Sequence, residues 1–546
     1  MSQKAKKPPV TGTLRSAGRR LLTWLAAVTV MLPLTVAAGA TQVQAVGPDL
    51  LPITVTNNTG RSEPVYLYVL GQDLRPGGKL GYVNQSGAFS AWPAGSQPPS
   101  AAPDVSIPGP ANGASTTIYI PRFLSGRVYF SFGEKLKLYL TPDGLVQPAP
   151  WAAGDPNRDI LFDWSELTYN DAGLWLNSTQ VDQFAIPHAV SVTGADGTTQ
   201  RTGQLVDGGR DKVINAIKAQ PGWENTVYTR SDGTVLRVLA PGKATDAGLL
   251  DSNYLASYID SAWNAFTSKT LTVVPFRDQP DVKYFGRTSG NVMYFTDASG
   301  NQVHSITKPS TADVWGCSGA LFAPNDNVQG PIARTVCAAL HRSTLGTIDT
   351  QPSYDPSEFY RGSLTNHYSR IIHANMVDGK AYGFPFDDVG NFESLVHNGD
   401  PRSASITLTP FGSGGSSDGG TSALVSNWNN KCIDVPAANF SDGVPLQTYT
   451  CNGTAAQQWT FTDGTLRTQN DKCMDVAWGS RDNGAVIQIA NCSGNPAQQF
   501  VLSEAGDLVN PQANKCVDIK DWNPNDGAAL QLWECNGGAN QKWRRG

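Results

Sequence analysis

The chain lacks the motifs that hold metal ions in proteins. Its 546 residues contain neither Cys-x-x-Cys nor His-Glu-x-x-His, and its six histidines are scattered between positions 188 and 397. Zinc sites are built from Cys, His and carboxylate ligands at close, recognisable spacings. The sequence therefore predicts no metal site, and we expect no other cofactor.

Charge is also scarce. Only 16% of the residues are charged, and the formal net charge is −5. Proteins that bind nucleic acids present clustered positive charge to the phosphate backbone, so this composition argues against nucleic acid as a partner. Long apolar runs are missing as well, with one exception at residues 21–40.

That apolar run lies within a pattern typical of a signal peptide. Ala38-Gly39-Ala40 and Val43-Gln44-Ala45 offer cleavage sites, and the run is preceded by the basic residues Lys4, Lys6, Lys7, Arg15, Arg19 and Arg20. We predict a signal peptide at residues 1–45, and the adjacent arginines suggest the twin-arginine route. The alternative is an uncleaved membrane anchor, which Pro33 and the small residues disfavour. We expect a secreted, extracellular protein without membrane contact after processing.

The residues that are abundant indicate a loop-rich β protein. The chain has 55 Gly, 36 Pro and 14 Trp, a composition typical of secreted, carbohydrate-handling proteins, and its length predicts two to four domains. Eight cysteines fall into pairs 19 or 20 residues apart, which predicts four disulfides in an oxidising compartment. The pairs are Cys317 with Cys337, Cys432 with Cys451, Cys473 with Cys492, and Cys516 with Cys535.

Three of these pairs mark an internal repeat of roughly 41–43 residues. Its units begin with KCIDV, KCMDV and KCVDI at positions 431, 472 and 515, and each ends in Gln-x-aromatic. A Gly/Ser-rich stretch at 411–421 precedes the repeats and predicts a flexible linker. The sequence thus separates a region at 46–410 from a repeat domain at 422–546.

Two carboxylates in residues 159–184 are the best candidates for catalysis. The segment reads DILFDWSELTYNDAGLWLNSTQVDQF, and its alternation from 162 to 170 places Glu166 on one face of a strand. Cleavage of a glycosidic bond needs two carboxyl groups on opposite sides of one sugar, and Asp182 is the second candidate. A plain hairpin would leave the two about 13 Å apart, so we predict a third strand or strong curvature that returns Asp182 to Glu166. The alternative is that both are ordinary surface acids.

The motifs FDWSELTYNDAGLW and STQVDQF resemble those of glycoside hydrolase family 64, bacterial β-1,3-glucanases related to thaumatin-like proteins. The likeness runs from about 51 to 408, with ITVTNNTG near its start and AYGFPFDDVGNFES near its end. The resemblance implies a thaumatin-like β barrel or sandwich at about 46–205 and a mixed α/β part at about 206–400. A wide groove between the two parts is expected to bind the substrate.

The same resemblance implies an activity and roles for particular residues. Glu166 matches the family's general acid and Asp182 its general base, in an inverting reaction that releases short laminari-oligosaccharides, typically the pentaose. The implied substrate is β-1,3-glucan, such as laminarin, curdlan or fungal cell-wall glucan, and we expect a monomer. The residues that match substrate-contacting positions are Asp155, Thr168, Asn170 and Trp175.

The repeats at 422–546 resemble a ricin-B type β-trefoil, called a family 13 carbohydrate-binding module when attached to glycosidases. The resemblance implies that Gln-x-aromatic fills the shared core and that each repeat carries one sugar pocket. The implied pocket residues are Asp434, Gln447 and Tyr449 in the first repeat, and Asp518, Gln531, Trp533 and Asn540 in the third. The second repeat has Asp475 and Gln488 but Ala490 at the aromatic position, which predicts a weak or inactive pocket.

Two other functions remain open on the sequence. One is a non-catalytic glucan-binding thaumatin-like or lectin protein, and the other is a glycosidase that acts on another polysaccharide. Between 205 and 400, apolar residues at helical spacing predict one helix at 255–266 and another around Cys337, which Cys317 ties to a loop. Asp387 and Asp388 could form a metal-binding or catalytic pair, but we interpret them as part of a polar loop after Gly383-Phe384-Pro385 and assign them no role.

Overall fold

The computed structural model of the protein describes residues 47–411, 422–462, 465–503 and 506–546. The predicted signal peptide and nearly all of the predicted linker lie outside the described residues. Within these ranges, no α-helix combines the length and apolar character needed to span a bilayer.

Two sheets packed face to face form the β-rich part. One has five strands in the order Thr199–Thr202, His188–Gly194, Pro401–Leu408, Leu50–Asn57 and Ser115–Pro121. Its first and last strands in the chain pair in parallel, with Ile53 opposite Ala404, so the chain returns to this sheet after passing through the mixed part. Side chains such as Ile53, Val128 and Leu167 fill the core between the sheets.

The second sheet carries the candidate carboxylates. Its strands, in spatial order, are Leu395–Asn398, Gly173–Asn177, Leu161–Asn170, Leu124–Phe132, Val65–Asp73, Leu80–Val83 and Phe89–Ala91, with Ile107–Pro108 paired to Val65–Asp73. We call Leu161–Asn170 the central strand. Leu161, Leu167 and Tyr169 point into the core, whereas Phe162 and Trp164 join an aromatic cluster on the other side. The predicted alternation is confirmed.

The mixed part combines short strands with six α-helices among its described residues. One of its sheets consists of Gln302–Thr307, Val292–Thr296, Tyr284–Ser289, Leu271–Val273 and Thr350–Gln351, and another of Gln183–Phe184, Val235–Leu239 and Val227–Thr229. A small sheet of the β-rich part, beside the aromatic cluster, consists of Gly144–Val146, Tyr139–Thr141 and Ser100–Ala101. The helices are Gly209–Lys218, Pro241–Asp246, Ala256–Ala265, Thr311–Gly316, Gln329–His341 and His367–Ala374. Two of them, Ala256–Ala265 and Gln329–His341, confirm the helices predicted from apolar spacing.

The four predicted disulfides are all present, and one of them lies in the mixed part. Cys317 follows the helix Thr311–Gly316 and bonds to Cys337 in Gln329–His341, with the Cα atoms 5.7 Å apart. Both sulfurs lie close to His341. Because the disulfide consumes both thiols, this cluster has no thiolate to offer a metal ion.

Asp387 lies in a turn, as the loop interpretation predicts, but its side chain has a structural role that the sequence did not indicate. Its side chain is completely buried, Arg342 Nη2 donates to its Oδ1 at 2.9 Å, and Nε2 of His373 lies 2.9 Å from its Oδ2. Burial alone would raise the pKa of Asp387, but His373 and Arg342 outweigh it and hold that pKa below its usual value. Asp387 therefore has a structural role in the mixed part, where its carboxylate joins Arg342 to His373.

Phe411, which the sequence places at the start of the linker, is packed against the β-rich part. Its ring lies 6.0 Å from that of Phe132, and the guanidinium groups of Arg61 and Arg210 lie 4.9 and 4.6 Å from its centroid. The folded region therefore extends through Phe411, and this end of the predicted linker is wrong by one residue.

The repeats fold as a β-trefoil with four strands each. The strands are Leu424–Ser426, Lys431–Asp434, Gln447–Thr450, Thr460–Thr462, Thr465–Thr468, Lys472–Val476, Ile487–Asn491, Val501–Leu502, Leu508–Asn510, Lys515–Ile519, Ala528–Trp533 and Trp543–Arg545. Trp459, Phe500 and Trp543, the aromatic ends of Gln-x-aromatic, are buried in one shared core.

Each repeat of the trefoil closes its own disulfide, which confirms the other three predicted pairs. The bonds join Cys432 to Cys451, Cys473 to Cys492, and Cys516 to Cys535, with Cα–Cα distances of 5.1, 5.0 and 5.1 Å. The first cysteine of each pair is completely buried on a strand, whereas its partner differs: Cys451 and Cys535 are exposed and Cys492 is half-buried. These cysteines are therefore structural residues, and each bond ties a buried strand to the loop that follows the neighbouring strand at the surface.

Candidate active site

The outer face of the second sheet brings polar side chains together around Glu166. The pairing register places Asn177 on one side of Glu166 and Arg127 on the other. In the next row, Thr168 lies between Trp175 and Ser125. Because residues directly opposite each other in paired strands point to the same face, these side chains form one continuous floor.

Asp182 reaches this floor because the chain leaves the sheet after Asn177. Ser178 N donates to Ser394 O, and the chain then enters the short strand Gln183–Phe184, which pairs with Val235–Leu239. Asp182 is the residue immediately before that strand. The structure thus contains the third strand that the sequence requires, beginning at Gln183.

Buried contacts fix the 178–186 segment. Asp163, on the core side of the central strand, accepts from the backbone N–H groups of Ala185 and Ile186 at 2.8 and 3.0 Å. The Gln183 side chain donates to the carbonyl of Phe162 at 2.7 Å. The central strand therefore positions both carboxylates, Glu166 directly and Asp182 through this segment.

One guanidinium nitrogen contacts both candidate carboxylates. Arg127 Nη2 lies 3.0 Å from Glu166 Oε1 and 3.5 Å from Asp182 Oδ2. These two oxygens are therefore at most about 6.5 Å apart, which reaches the lower limit of the ~6.5–9.5 Å typical of inverting glycosidases and also covers the ~5–5.5 Å of retaining ones. The guanidinium also lies 4.7 Å from the Trp164 ring centroid, so a cation–π contact with Trp164 helps to hold Arg127 between the two carboxyl groups.

Asp182 has a second cation. Lys243 Nζ lies 3.3 Å from its Oδ1, and both side chains are nearly buried. Burial alone would raise the pKa of Asp182, but Lys243 and then Arg127 outweigh it and hold that pKa below its usual value. The Lys243 ammonium also lies 4.4 Å from the ring centroid of Trp151, which lines the same side of the site.

Two further polar groups lie beside Glu166. Asn177 is buried, and its side-chain carbonyl has no hydrogen-bond partner among the described residues, an arrangement that is costly unless a ligand supplies a donor. Tyr382 is held by Gln180, whose side-chain carbonyl accepts from the Tyr382 N–H at 3.1 Å. Burial, then Asp388 and Glu166, raise the pKa of Tyr382 well above its usual value.

Three of the predicted substrate-contacting residues lie on the floor. Thr168 is buried, and its hydroxyl is 2.9 Å from that of Ser125. Asn170 is half-buried, and its side-chain carbonyl accepts from Ala172 N at 2.8 Å in the hairpin turn. Trp175 is largely buried, with its ring stacked on His397 at 4.2 Å, so only part of one ring face is open to a sugar.

Asp155 is placed differently from the other predicted site residues. Its two carboxylate oxygens accept from the backbone N–H groups of Ala149 and Asn157 at 2.9 and 2.8 Å. These bonds brace the loop that carries Trp151. In this structure Asp155 shapes the loop beside the site, while a direct substrate contact stays a prediction.

The trefoil pockets show a common polar arrangement. In the first repeat, Gln447 donates to Asp434 at 2.8 Å, and Tyr449 is exposed beside them. In the third, the carboxylate accepts from two side chains at 2.9 and 2.7 Å, and an exposed ring completes the set; these residues are Asp518, Gln531, Asn540 and Trp533. The Gln of Gln-x-aromatic also bonds the pocket Asp, as Gln457 does to Asp434 at 3.2 Å, so it supports the pocket as well as the core.

Sequence reasoning missed Arg127, Lys243, Asn177 and Trp151. Arg127 and Lys243 are distant in the chain from both carboxylates, so no local pattern connects them with the site. Asn177 shares the alternation of Trp175 and falls opposite Glu166 once the hairpin register is known. That residue could therefore have been found from the sequence.

Two carboxyl groups held close together beside aromatic and polar side chains are the arrangement that a glycoside hydrolase needs. A family model for β-1,3-glucanases matches residues 49–408. The chain belongs to this family, glycoside hydrolase family 64, which makes it a glycoside hydrolase of the endo-1,3-β-glucanase kind.

Individual relatives agree with this family. A glucan endo-1,3-β-glucosidase of Cellulosimicrobium cellulans is 42% identical over 439 residues, which cover 77% of this chain and 79% of the relative, and one of Arthrobacter sp. (strain YCWD3) gives the same figures. Among solved structures, a laminaripentaose-producing β-1,3-glucanase in complex with laminaritetraose is 55% identical with a TM-score of 0.64, covering 67% of this chain and 99% of its own. A β-1,3-glucanase domain of Clostridium beijerinckii is 26% identical with a TM-score of 0.56, covering 66% and 98%.

The repeat domain has its own match. A family model for ricin-type β-trefoil lectin domains matches residues 421–543. The predicted fold class, a β-rich multidomain protein that ends in a β-trefoil, is confirmed.

Proposed function

We propose that the protein is a secreted enzyme that cuts β-1,3-glucan internally and releases short laminari-oligosaccharides, with the pentaose as the main product. The reaction inverts the anomeric carbon. Family membership supports the β-1,3 linkage, and the similarity to a laminaripentaose-producing enzyme supports the product length. Secretion is supported by the signal-peptide pattern at 1–45 and predicts an extracellular chain whose first residue lies near position 46, which mass spectrometry would detect.

The observation that carries the mechanism is the shared contact of Arg127 Nη2 with Glu166 and Asp182. The Arg127 guanidinium holds the Glu166 and Asp182 side chains in fixed positions relative to each other. In an inverting reaction, one carboxyl group protonates the leaving oxygen and the other activates a water on the opposite face of the ring.

Asp182 is suited to the second role. Lys243 and Arg127 keep it ionised, so it can accept a proton from water. Glu166 then donates a proton to the glycosidic oxygen. The Glu166 side chain is buried beside Arg127 and Asn177, and the ring of Trp164 packs on the Arg127 guanidinium. Water is partly excluded from this environment, which makes a proton donor effective at the leaving oxygen.

Digestion of laminarin, followed by NMR of the newly formed anomer, tests this mechanism. We expect the α anomer to appear first, because inversion at a β-glycoside gives an α product. Glu166→Gln and Asp182→Asn should each lower kcat by ~10²–10⁴-fold, whereas the exposed Glu134→Gln should leave kcat unchanged. A β anomer that appears first would refute inversion, and polymer of unchanged length after long incubation would favour a non-catalytic glucan-binding protein.

For the trefoil we propose a binding role on polysaccharide. The exposed rings of Tyr449 and Trp533 stand beside Asp–Gln pairs whose aspartates are buried, the combination that stacks on a sugar face and bonds its hydroxyls. Two weak pockets on one chain raise apparent affinity for a polymer through effective concentration. Depletion of the protein from solution by insoluble β-1,3-glucan, compared with Tyr449→Ala/Trp533→Ala, measures this role.

A further inference from the structure

The second trefoil repeat retains the complete polar half of a sugar pocket. Gln488 donates to Asp475 Oδ1 at 2.9 Å, and Gln498 donates to its Oδ2 at 3.2 Å. The first repeat has the same two bonds on Asp434, at 2.8 and 3.2 Å. Asp475 is more than nine-tenths buried, and its carboxylate accepts the same two bonds as that of Asp434 in the first repeat, which carries an aromatic ring.

What this repeat lacks is the ring on the neighbouring strand. Ala490 lies opposite Cys473, the position that Tyr449 and Trp533 occupy in the other repeats. The Asp475–Gln488 pair lies between that position and the turn Ala477–Gly479, which follows the same strand. A ring on this turn would therefore approach the polar pair from its other side.

The turn Ala477–Gly479 carries a tryptophan, Trp478, whose ring does not contribute to the packing of the fold. Trp478 is fully exposed and has a φ of 61°. The equivalent residues Ala437 and Asp521 have φ values of 52° and 54°, so the left-handed turn belongs to all three repeats and accepts small or polar residues. A fully exposed ring buries no apolar surface and so adds nothing to stability, while a bulky side chain at positive φ carries a conformational cost.

The turn itself is held in place. Gln512 donates to the carbonyl of Gly479 at 3.0 Å, and Ala477 N donates to Val486 O. In the third repeat, Trp522 also lies on the turn, but its ring packs edge-on against Trp428 at 5.4 Å. Trp478 has no such cover in the described part of the chain, where it remains fully exposed.

We propose that the second repeat binds a neutral sugar unit of a polysaccharide, with Trp478 as the stacking surface in place of the ring missing at position 490. Asp475 and Gln488 bond the hydroxyls of that unit. The inference deepens the proposed binding role of the trefoil and rests on it. It replaces the sequence-based expectation of a weak or inactive second pocket, and it gives the module three sugar sites.

Affinity electrophoresis of the full chain in native gels that contain laminarin, xylan or galactan tests the proposal. All variants carry Glu166→Gln, so that the polymer in the gel stays intact. Tyr449→Ala/Trp533→Ala removes the rings of the first and third pockets, and Trp478→Ala is then added to that double variant. We expect Trp478→Ala to weaken the remaining retardation on at least one polysaccharide by fivefold or more in apparent Kd, and Trp478→Phe to restore it.

Two comparisons keep this test separate from the proposed binding role. The double variant against its parent reports on the first and third pockets, whatever the second does. Asp475→Ala in the double variant should match Trp478→Ala, because both remove the same pocket. If Trp478→Ala and Trp478→Phe leave the double variant unchanged in all three gels, the second pocket does not exist.

Discussion

The Lys243 ammonium lies 3.3 Å from Asp182 Oδ1, and both side chains are nearly excluded from solvent. This contact comes from the helix Pro241–Asp246 in the mixed part, whereas Arg127 approaches Asp182 from the β-rich part. The base candidate is therefore held between cations from both parts of the catalytic region. Its ionisation depends on how those parts pack together.

Replacement of Lys243 by Met should shift the acidic limb of the pH–activity profile. Lys243 lowers the pKa of Asp182, so its loss raises that pKa, and the base becomes protonated at a higher pH. The acidic limb of kcat/KM should therefore move to higher pH, as a laminarin assay across pH would show. Lys243→Arg should keep the wild-type limb, and so should Lys269→Met at an exposed ion pair. Superimposable limbs for Lys243→Met and wild type would refute the role of Lys243.

Asn177→Leu should separate activity from stability. The buried carbonyl of Asn177 has no partner among the described residues, so its removal should leave the free energy of unfolding unchanged or raise it by up to ~1 kcal/mol. If a sugar hydroxyl normally donates to that carbonyl, kcat/KM on laminarin should fall about five- to tenfold, the worth of one hydrogen bond.

Ser165→Ala is the matched control for Asn177→Leu. The Ser165 hydroxyl is also buried without a partner among the described residues, but it alternates with Glu166 and so faces the core side of the central strand. Its removal should affect stability in the same way and leave kcat/KM unchanged. Equal activities for Asn177→Leu and wild type would mean that Asn177 makes no substrate contact.

Arg342→Met should destabilise the catalytic region strongly. The Arg342 guanidinium donates to the carboxylate and the carbonyl of Asp387, and both residues are buried. Removal of one partner leaves a buried charge, which costs ~3–5 kcal/mol, whereas Lys269→Met at an exposed pair should cost at most ~1 kcal/mol. Urea unfolding followed by tryptophan fluorescence measures both variants, and similar losses would contradict this account of Asp387.

A chain that ends at Phe411 should retain hydrolysis of soluble glucan. Phe411 must be kept, because its ring packs on Phe132 and contacts two guanidinium groups. Release of reducing ends from soluble laminarin should stay within about twofold of wild type, while release from insoluble curdlan should fall several-fold, because the binding module no longer raises the local concentration. Equal loss on both substrates would show that the trefoil contributes to the catalytic site itself.

Local patterns predicted a large part of this protein. Alternation from 162 to 170 identified the face of the central strand, because successive side chains in any strand point to opposite sides. Helical spacing located the helix at 256–265, and cysteine spacing gave the four disulfides. Each of these signals lies within about twenty residues, where the geometry of one element fixes the relation between positions.

The sequence alone determined the β-rich architecture with its repeats and the family, and it identified the two carboxylates as candidates. The tertiary structure decided what surrounds the carboxylates: Arg127 from a neighbouring strand, Lys243 from a helix in the mixed part, and a carbonyl on Asn177 left unpaired among the described residues. It also decided that Asp387 is buried and that Trp478 is exposed. These outcomes depend on the packing of segments far apart in the chain, and no short-range periodicity encodes which distant charge a folded carboxylate meets.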